Sequence, residues 1–338
     1  RTYARKSGHG RRQPHQQTCS RPERTPQTPP RHSSGRIGHG IKAMNHKIVV
    51  FDNRLQPKAQ KEIQSFTAEP VIFPAERNLS EKEPILRTGD ADIVLVSPWD
   101  KITASYLDAC SSIKYVGLCG TSTANIDLEE LKRRNIAFAN VMSHGKESVA
   151  EFVFMQLVRL ARGVGDYQWK AEQHQLMGHT MGIIGLGHVG EAIAHIALAY
   201  KMNVLYSSPH HKPEWEESGV GYRGVNELLQ SSDFVVLCAP TNIQVLGTAE
   251  FEMMRPGSVL VQTSSGTPFD KEAFSRWISK EGNFAIFDKS AGEENYQQYK
   301  DIPRVIFSDK IGGDTYETDE RRGTVVVDNL RKYIASAQ

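Results

Sequence analysis

The sequence has few cysteines and no long apolar segment. Its 338 residues include four cysteines, Cys19, Cys110, Cys119 and Cys238, none of them in a Cys-x-x-Cys pair. This spacing excludes a disulfide framework and favours a reducing compartment, which we expect to be the cytoplasm. No stretch approaches the roughly 18 apolar residues of a membrane span, so we expect no membrane partner. No His, Cys and carboxylate residues cluster at metal-ligand spacing, so we expect no metal site.

Residues 1–43 have almost no large apolar side chains and contain a single acid, Glu23, against ten Lys and Arg residues. This segment carries a charge of +9, so the rest of the chain carries −7 although the whole chain is +2. We therefore expect no nucleic-acid partner for the folded part. A segment of this composition cannot bury a core and is predicted to be a disordered basic tail.

Three interpretations of this tail remain open. It is sequence upstream of a true start at Met44, a targeting peptide, or a basic arm for an acidic partner, and we favour the first. The prolines of the segment disfavour the amphipathic helix of a targeting peptide.

Residues 179–206 carry the pattern around which the rest of the chain is organised. An apolar run at 180–184 predicts a buried parallel strand, and Gly185, Gly187 and Gly190 follow it at Gly-x-Gly-x-x-Gly spacing. A helix-forming segment and a second strand complete the stretch. Strand, glycine turn, helix and strand in this order are the context in which the motif binds a dinucleotide.

Each glycine of the motif has a physical role in that context. Gly185 permits a tight turn, Gly187 lets a pyrophosphate approach the backbone, and Gly190 lets the helix pack against the sheet. The helix N-terminus, at His188 and Val189, offers unpaired N–H groups and a partial positive charge to the phosphates. The alternative is a glycine turn that serves packing alone.

The rest of the chain alternates strands with helices, which predicts parallel sheets covered by helices. The predicted strands cover residues 47–52, 71–73, 92–96, 114–118, 137–140, 180–184, 203–206, 234–238, 258–261 and 284–287. The predicted helices cover residues 57–66, 101–109, 128–133, 147–161, 191–200, 270–279 and 314–335. We interpret the helix over 147–161 as the connector between two domains, and the last helix as starting with a capping box at Asp314.

Six stretches resemble the D-2-hydroxyacid dehydrogenase family in sequence, order and spacing, over nearly all of the chain from Met44 onward. They are IKYVGLCGTSTANID (113–127), ESVAEF (147–152), MGIIGLGHVG (181–190), SDFVVLCAP (232–240), MRPGSVLVQTSSG (254–266) and RVIFSDKIGG (304–313).

The resemblance implies an α/β fold of two Rossmann-like domains, each with a doubly wound parallel sheet. The substrate domain would be split, covering residues 44–148 and 311–338, and an NAD(P)-binding Rossmann domain at 149–310 would be inserted into it. Substrate and nicotinamide would meet in the cleft. The resemblance also implies a homodimer formed through the nucleotide domain.

The resemblance implies an NAD(P)-dependent oxidoreductase. It would transfer a hydride between nicotinamide and a small 2-oxo or 2-hydroxy acid, or a related carbonyl or imine compound. Family enzymes use an arginine for the substrate carboxylate, a histidine as proton donor and a glutamate that raises the pKa of the histidine. Here Ser265 stands at the arginine position, Lys310 at the histidine position, and Glu293 is the glutamate.

We expect Lys310 to donate the proton, with Glu293 as its partner and Ser265 as a polar substrate contact. Serine cannot form the two-pronged carboxylate contact that arginine makes. The alternative is a catalytically silent NAD(P)-binding regulatory or sensor protein, in which Lys310 is a solvated lysine of the cleft.

The loop Cys119, Gly120, Thr121 and Ser122 matches the family loop whose backbone amides hold the substrate carboxylate. A loop of small residues after a strand is suited to presenting N–H groups to an anion. The alternative is an ordinary turn between a strand and a helix.

The end of the second strand bears on the choice of nicotinamide cofactor. An acid about 20 residues past the glycines usually bonds the ribose 2′-hydroxyl. Here the segment Ser207-Ser208-Pro209 has no acid, and His210, His211 and Lys212 follow. We therefore favour NADPH over NADH, because nothing repels a 2′-phosphate and the basic residues attract it. The alternative is that Ser207 bonds the ribose and the basic residues form a solvated loop. The remaining residues that we expect at the cofactor are Ala239, Pro240, Thr263, Ser264, Asp288 and Gly312.

Overall fold

The computed structural model describes residues 46–71, 73, 83–240 and 243–337. The predicted disordered tail over 1–43 and the start at Met44 lie outside these residues.

The first half of the described chain forms a four-stranded parallel sheet in the order β1-β2-β3-β4. The strands are β1 (Ile48–Val50), β2 (Ile93–Val96), β3 (Tyr115–Leu118) and β4 (Ala137–Asn140). The helices in this half are α1 (Pro57–Gln64), α2 (Glu83–Thr88), α3 (Ala104–Ala109) and α4 (Leu128–Arg133). Because the strands are parallel, the loops after all four of them lie at the same edge of the sheet.

The second half forms a seven-stranded parallel sheet in the order β11-β10-β9-β8-β5-β6-β7. The strands are β5 (Thr180–Ile184), β6 (Asn203–Ser207), β7 (Val220–Tyr222), β8 (Phe234–Leu237), β9 (Val259–Gln262), β10 (Phe284–Phe287) and β11 (Val305–Phe307). The strand order reverses between β5 and β8. In open α/β sheets such a reversal opens a crevice at the carboxyl ends of the strands, where ligands bind.

Eight helices of the described chain belong to the second half. They are α5 (Lys146–Arg162), α6 (His188–Ala199), α7 (Pro213–Glu217), α8 (Val225–Ser231), α9 (Thr248–Met253), α10 (Lys271–Ser279), α11 (Glu293–Tyr299) and α12 (Tyr316–Ser336). The sheet is buried on both faces. All four residues of β8 are buried, for example, as expected for a parallel strand covered by helices on both sides.

The C-terminal helix α12 returns to the first sheet and packs against α1, β3 and β4. Tyr333 stacks on Tyr115 with ring centroids 4.5 Å apart, and a Cβ on Gly323 would lie 2.8 Å from the Cβ of Ala59. The first and the last described segments of the chain thus both belong to the first sheet layer. The split substrate domain and its boundaries stay a prediction.

The predicted α/β fold class with parallel sheets is confirmed, and the seven-stranded sheet has the reversal of strand order that a doubly wound sheet requires. The strand expected over 71–73 is wrong, because Val71 and Phe73 are irregular and residue 72 lies outside the described residues. The start of the last helix also differs: Thr315, not Asp314, caps α12, and its Oγ1 accepts a hydrogen bond from the N–H of Thr318. Either residue type is a good N-cap, and only the backbone geometry distinguishes them.

Candidate cofactor and substrate site

The glycine turn connects β5 to α6. Gly185 has a φ of +99°, and a Cβ there would lie 2.8 Å from the carbonyl oxygen of Cys238. A Cβ on Gly190 would lie 2.3 Å from the carbonyl oxygen of Gly185. A Cβ on Gly187, by contrast, would meet nothing within 4 Å. Packing therefore requires the first and third glycines, whereas the second leaves open space beside the backbone.

The N-terminus of α6 has free hydrogen-bond donors. The backbone N–H groups of His188, Val189 and Gly190 find no acceptor within the described part of the chain, and no side chain caps the helix. The Leu186 N–H donates to the hydroxyl of Ser208 at 3.3 Å. A 12-residue helix with an open N-terminus carries a partial positive charge there, so the turn fits a pyrophosphate.

The carboxyl end of β6 lacks an acid, as the sequence indicates. Ser207 is buried, and Ser208, Pro209 and His210 follow it toward the surface. The structure divides the basic trio that we expected to attract a phosphate. Lys212 forms an ion pair with Glu191 in the first turn of α6, and only His210 remains exposed without a partner among the described residues.

The third basic residue, His211, belongs to a small polar cluster beside this loop. Its Nδ1 lies 3.1 Å from Oε1 of Glu216, which also accepts a hydrogen bond from the Tyr206 hydroxyl at 2.8 Å. The imidazole ring lies 3.7 Å from the ring of Tyr222. Glu216 and Glu191 are thus both engaged by neighbouring side chains, Glu216 by His211 and Tyr206 and Glu191 by Lys212.

The loops after β8 and β9 follow along the same edge of the sheet. Ala239 and Pro240 continue β8, with Ala239 buried and Pro240 exposed. After β9, the buried Gln262 side chain donates from Nε2 to the carbonyl oxygens of Ser264, at 2.9 Å, and Gly266, at 2.6 Å. The sequence reasoning missed this positioning role of Gln262.

The segment that Gln262 holds includes Thr263, Ser264 and Ser265. The Thr263 carbonyl accepts a hydrogen bond from the Ser290 hydroxyl at 3.1 Å. Ser265 is exposed at the tip, and this loop contributes no cation at the position where the family has its arginine.

The buried Asp288 anchors the segment that carries Lys310. Its Oδ2 accepts a hydrogen bond from the Gly312 N–H at 2.7 Å, and its Oδ1 accepts one from the Ser290 N–H at 3.0 Å. The Lys289 N–H donates to the Lys310 carbonyl at 3.0 Å. Burial raises the pKa of the Asp288 carboxyl. The structure therefore gives Asp288 a positioning role at the edge where we expected a cofactor contact.

Lys310 itself extends into solvent. Its side chain is 77% exposed, and its Nζ lies 2.9 Å from Oδ2 of Asp309. The predicted pair with Glu293 is not formed: within the described chain no ion pair joins them, and Glu293 accepts a hydrogen bond from Gln297 at 2.6 Å. Both residues of that hydrogen bond lie on α11, four positions apart, so local helix geometry decides the orientation of Glu293.

The expected substrate loop follows β3. Cys119 is fully buried, and burial raises the pKa of its thiol well above the usual value, so it contributes backbone only. The N–H groups of Gly120, Thr121 and Ser122 have no acceptor among the residues that the structure describes. Thr121 is held in place by its hydroxyl, which donates to the Val141 carbonyl at 2.9 Å. The loop therefore retains free amides for an anion.

A buried cluster of charged residues lies beside this loop, and sequence reasoning missed it. Arg54 contacts Asp52 with two nitrogens, Nε at 3.3 Å and Nη2 at 3.2 Å, and its guanidinium lies 4.5 Å from the Trp99 ring centroid. Arg322, which is 1% exposed, pairs with Asp319. The only sequence signal was Asp52, an acid at the end of the first predicted strand.

His144 belongs to the same cluster. Burial, and then the charges of Arg322 and Arg54, lower its pKa to about 4. Its Nδ1 and the Nε of Arg322 are buried and find no hydrogen-bond partner among the residues that the structure describes. The cluster therefore keeps His144 neutral at physiological pH.

The described residues contain neither a membrane-spanning helix nor a cluster of metal ligands. None of the helices there combines the length and the apolar character needed to cross a bilayer. No group of three His, Cys, Asp or Glu side chains in that part of the chain is placed to hold a metal ion.

Comparison with known proteins gives consistent matches along the chain. The family described as D-isomer specific 2-hydroxyacid dehydrogenase, NAD binding domain, matches residues 152–310. A glyoxylate reductase from Thermococcus litoralis is 30% identical over 270 residues, which cover 72% of this chain and 80% of that protein.

Solved structures share the fold over most of the chain. A 3-phosphoglycerate dehydrogenase from Entamoeba histolytica with bound NAD+ has a TM-score of 0.73 at 21% identity, covering 87% of this chain and 97% of that one. An acyclic imino acid reductase in complex with NADPH and D-Arg also has a TM-score of 0.73, at 24% identity, covering 86% and 97%. At these identities the likeness concerns the fold.

Proposed function

We propose a reaction for this chain, which belongs to the D-isomer specific 2-hydroxyacid dehydrogenase family and is an NAD(P)-dependent oxidoreductase. In this reaction the protein uses NADPH to reduce a small 2-oxo acid or a related carbonyl or imine compound. We propose Lys310 as the proton donor. The observation that carries this proposal is the hydrogen bond from the Gly312 N–H to Asp288, which fixes the Lys310 segment. That segment follows β11, at the same edge of the sheet as the glycine turn.

The glycine turn supports the cofactor assignment by its shape and its free donors. The open space beside Gly187 and the unpaired N–H groups of His188, Val189 and Gly190 fit a pyrophosphate. A bound nicotinamide supplies a hydride. The remaining residues in the proposed cofactor site lie along the same edge of the sheet; they are Ser207, Ser208, Pro209, His210, Lys212, Ala239, Pro240, Thr263, Ser264, Asp288 and Gly312.

The charge around the end of β6 supports NADPH over NADH. Ser207 stands where a carboxylate would repel a 2′-phosphate, and the two nearby acids, Glu191 and Glu216, are already paired with Lys212 and His211. The Ser208 hydroxyl and the exposed His210 can donate hydrogen bonds to the phosphate oxygens.

Lys310 has the chemistry of a proton donor. Reduction of a carbonyl adds a hydride to carbon and a proton to oxygen, and the ammonium of Lys310 can supply that proton. Its Asp309 ion pair lies in solvent, so water restores the proton after each turnover. Asp309 takes the partner role that the sequence assigned to Glu293. Ser265, exposed at the tip of its loop, is a polar contact for the substrate.

We also propose a homodimer that pairs α5 with its copy. Glu151, Met155 and Arg159 are exposed on this otherwise mostly buried helix and are spaced four residues apart. An antiparallel pair of α5 helices centred on Met155 would place Glu151 beside Arg159 of the partner subunit. This is the self-complementary pattern that a two-fold interface requires. The free cysteines Cys110, Cys119 and Cys238 support a cytoplasmic location.

The proposed reaction is tested by the oxidation of NADPH and NADH in the presence of three classes of compound. These are 2-oxo acids, neutral ketones, and 2-oxo acids supplied with ammonia. We expect NADPH oxidation with at least one 2-oxo acid, at a higher kcat/KM than with NADH. Binding of both cofactors without turnover of any compound would instead favour the silent sensor protein.

A further inference from the structure

In the proposed reaction, the carboxylate of the substrate still needs a positively charged partner. A 2-oxo acid carries a carboxylate, and the loop that supplies the family's arginine here ends in the uncharged Ser265. The free N–H groups of Gly120, Thr121 and Ser122 can bond the carboxylate, but they do not neutralise its charge. A buried or half-buried carboxylate normally has a charged partner.

Arg54 is a mostly buried arginine whose third nitrogen forms only a long ion pair. Its side chain is 10% exposed, and it is held by two contacts from Nε and Nη2 to the Asp52 carboxylate. The third nitrogen, Nη1, donates no hydrogen bond within the described chain and lies 3.8 Å from Oδ1 of Asp314. The guanidinium is therefore fixed on one side and has donors free on the other.

Arg54 lies at the same edge of the first sheet as the free amides. It follows β1, Trp99 follows β2, and Gly120 follows β3, and the strands are parallel neighbours. A Cβ on Gly120 would lie 2.2 Å from Cγ of Pro98, so the loops after β2 and β3 are in close contact. Trp99 comes next in the chain and contacts Arg54. The positive charge of Arg54 also lowers the pKa of the Cys119 thiol, against the larger effect of burial.

Arg54 also approaches the chain segment that follows Lys310. Asp314, which Arg54 approaches, lies two residues after Gly312, and the Gly312 N–H is bound to Asp288. Arg54 thus contacts the loop after β2, which packs against the loop of the free amides, and it also approaches the segment that follows Lys310.

We propose that Arg54 recognises the substrate carboxylate in place of the arginine that Ser265 has replaced. Arg54 Nη1 and the amides of Gly120, Thr121 and Ser122 would bind the carboxylate together. Asp52 positions the guanidinium, and the exposed Trp99 ring covers its face. The inference rests on the proposed function, since it names the residue that selects acids over neutral ketones.

The test compares two substrates that differ only in the carboxylate, a 2-oxo acid and its 2-oxo amide, with the full chain and NADPH. In Arg54→Gln we expect kcat/KM for the acid to fall by about 100-fold and that for the amide to change by less than about threefold. Arg54→Lys keeps the charge but loses the planar guanidinium that can bond Asp52 and the substrate at once, so the fall in kcat/KM for the acid should be intermediate. Arg133→Gln, on the exposed surface of α4, is the matched control and should leave both values unchanged.

Equal losses for acid and amide would show that Arg54 is merely structural and would overturn the proposal. Because Arg54→Gln removes a nearly buried pair, Arg54→Lys serves as the folded variant if the glutamine protein is unstable. A second readout, independent of turnover, is the Kd of oxamate, an amide-bearing carboxylate analogue, for the NADPH complex. It should rise at least about tenfold in both variants.

The oxamate measurement also separates the two hypotheses. If wild type turns over no 2-oxo acid but binds oxamate in an Arg54-dependent way, the proposed function fails and the carboxylate site stands. If wild type reduces 2-oxo acids and Arg54→Gln leaves the oxamate Kd unchanged, the reaction stands and the role of Arg54 is refuted. Absence of oxamate binding by wild type would also refute it.

Discussion

At the scale of single residues, His144 is a buried base whose proton uptake opposes folding. Its pKa in the folded chain is about 4, against a usual value of 6.5, because it is buried beside Arg322 and Arg54. A base with a depressed folded-state pKa contributes stability that is present above pH 6.5 and is lost as the pH falls toward 4.

We therefore predict that His144→Gln flattens the acid side of the stability curve. Wild type should lose at most about 3 kcal/mol more than the variant between pH 7 and pH 4. Urea unfolding at several pH values in this range measures the difference. Parallel curves for the two proteins would contradict the prediction. Burial also raises the pKa values of Asp100, Asp288 and Asp319. Their contributions to the pH dependence of stability are the same in both proteins, so they cancel in the difference at each pH.

Ser207 is predicted to set the cofactor preference. In Ser207→Asp, a carboxylate would repel the 2′-phosphate and accept hydrogen bonds from the ribose hydroxyls of NADH. We expect the ratio of kcat/KM for NADPH to that for NADH to fall by about 100-fold. Ser105→Asp, on α3, adds the same charge far from β6 and should not change the ratio. A ratio unaffected by Ser207→Asp would mean that the end of β6 does not contact the ribose.

Single residues differ in how well the sequence predicted them. The steric restrictions at Gly185 and Gly190 follow from backbone geometry and from the spacing of the motif, so they were predictable without a structure. The approach of a pyrophosphate to Gly187 stays a prediction. The pairing of Lys212 with Glu191 joins residues 21 positions apart, and the contact of Arg54 with Asp314 joins residues that are still more distant in sequence. Such pairs depend on the arrangement of side chains at the sheet edge, which no local pattern encodes.

At the scale of elements, the same substitution at two glycines of the turn from β5 to α6 is expected to have different effects. Gly187→Ser adds a side chain in open space and a good N-cap, so stability should be maintained while the Kd for NADPH rises at least about tenfold. Gly190→Ser forces its Cβ against the Gly185 carbonyl oxygen and should cost about 2–4 kcal/mol of stability.

Fluorescence titration with NADPH and urea unfolding measure both effects on the same two variants. Each variant is the control for the other, because the substitution is the same and the positions are three residues apart. Loss of stability in Gly187→Ser, or a stable Gly190→Ser, would contradict the packing that the structure shows at this turn.

The elements that the sequence predicted are those with the strongest local signal. The buried apolar strands and the long helices were found because their periodicity extends over several residues. The strands β7 (Val220–Tyr222) and β11 (Val305–Phe307) were missed because three residues carry too little pattern. They extend the sheet at both edges, where pairing with a neighbouring strand outweighs intrinsic preference.

At the scale of the whole molecule, the exposed stripe of α5 makes the proposed dimer testable by charge. Glu151→Arg should weaken the dimer because two arginines would then face each other across the two-fold axis, and Arg159→Glu should weaken it likewise. The double variant restores opposite charges and should recover the dimer. Sedimentation velocity of all four proteins measures the monomer fraction. Equal monomer fractions in all four proteins would mean that the dimer uses another interface or does not form.

The fold class and the Lys310 motif were predicted, but the surroundings of Lys310 were not. The sequence placed Glu293 beside it by family spacing, whereas α11 directs that glutamate to Gln297 and leaves Asp309 as the partner. The orientation of a side chain at a helix start depends on that helix, and α11 was not predicted. The proposed catalysis therefore depends on Lys310 more than on Glu293.

The most direct test of the central claim is the rate of NADPH oxidation by Lys310→Met with the best 2-oxo acid. We predict that kcat falls by at least about 100-fold, the contribution of a general acid, while the Kd for NADPH stays within about twofold. Lys132→Met, exposed on α4, is the matched control. An unchanged kcat in Lys310→Met would contradict its role as proton donor.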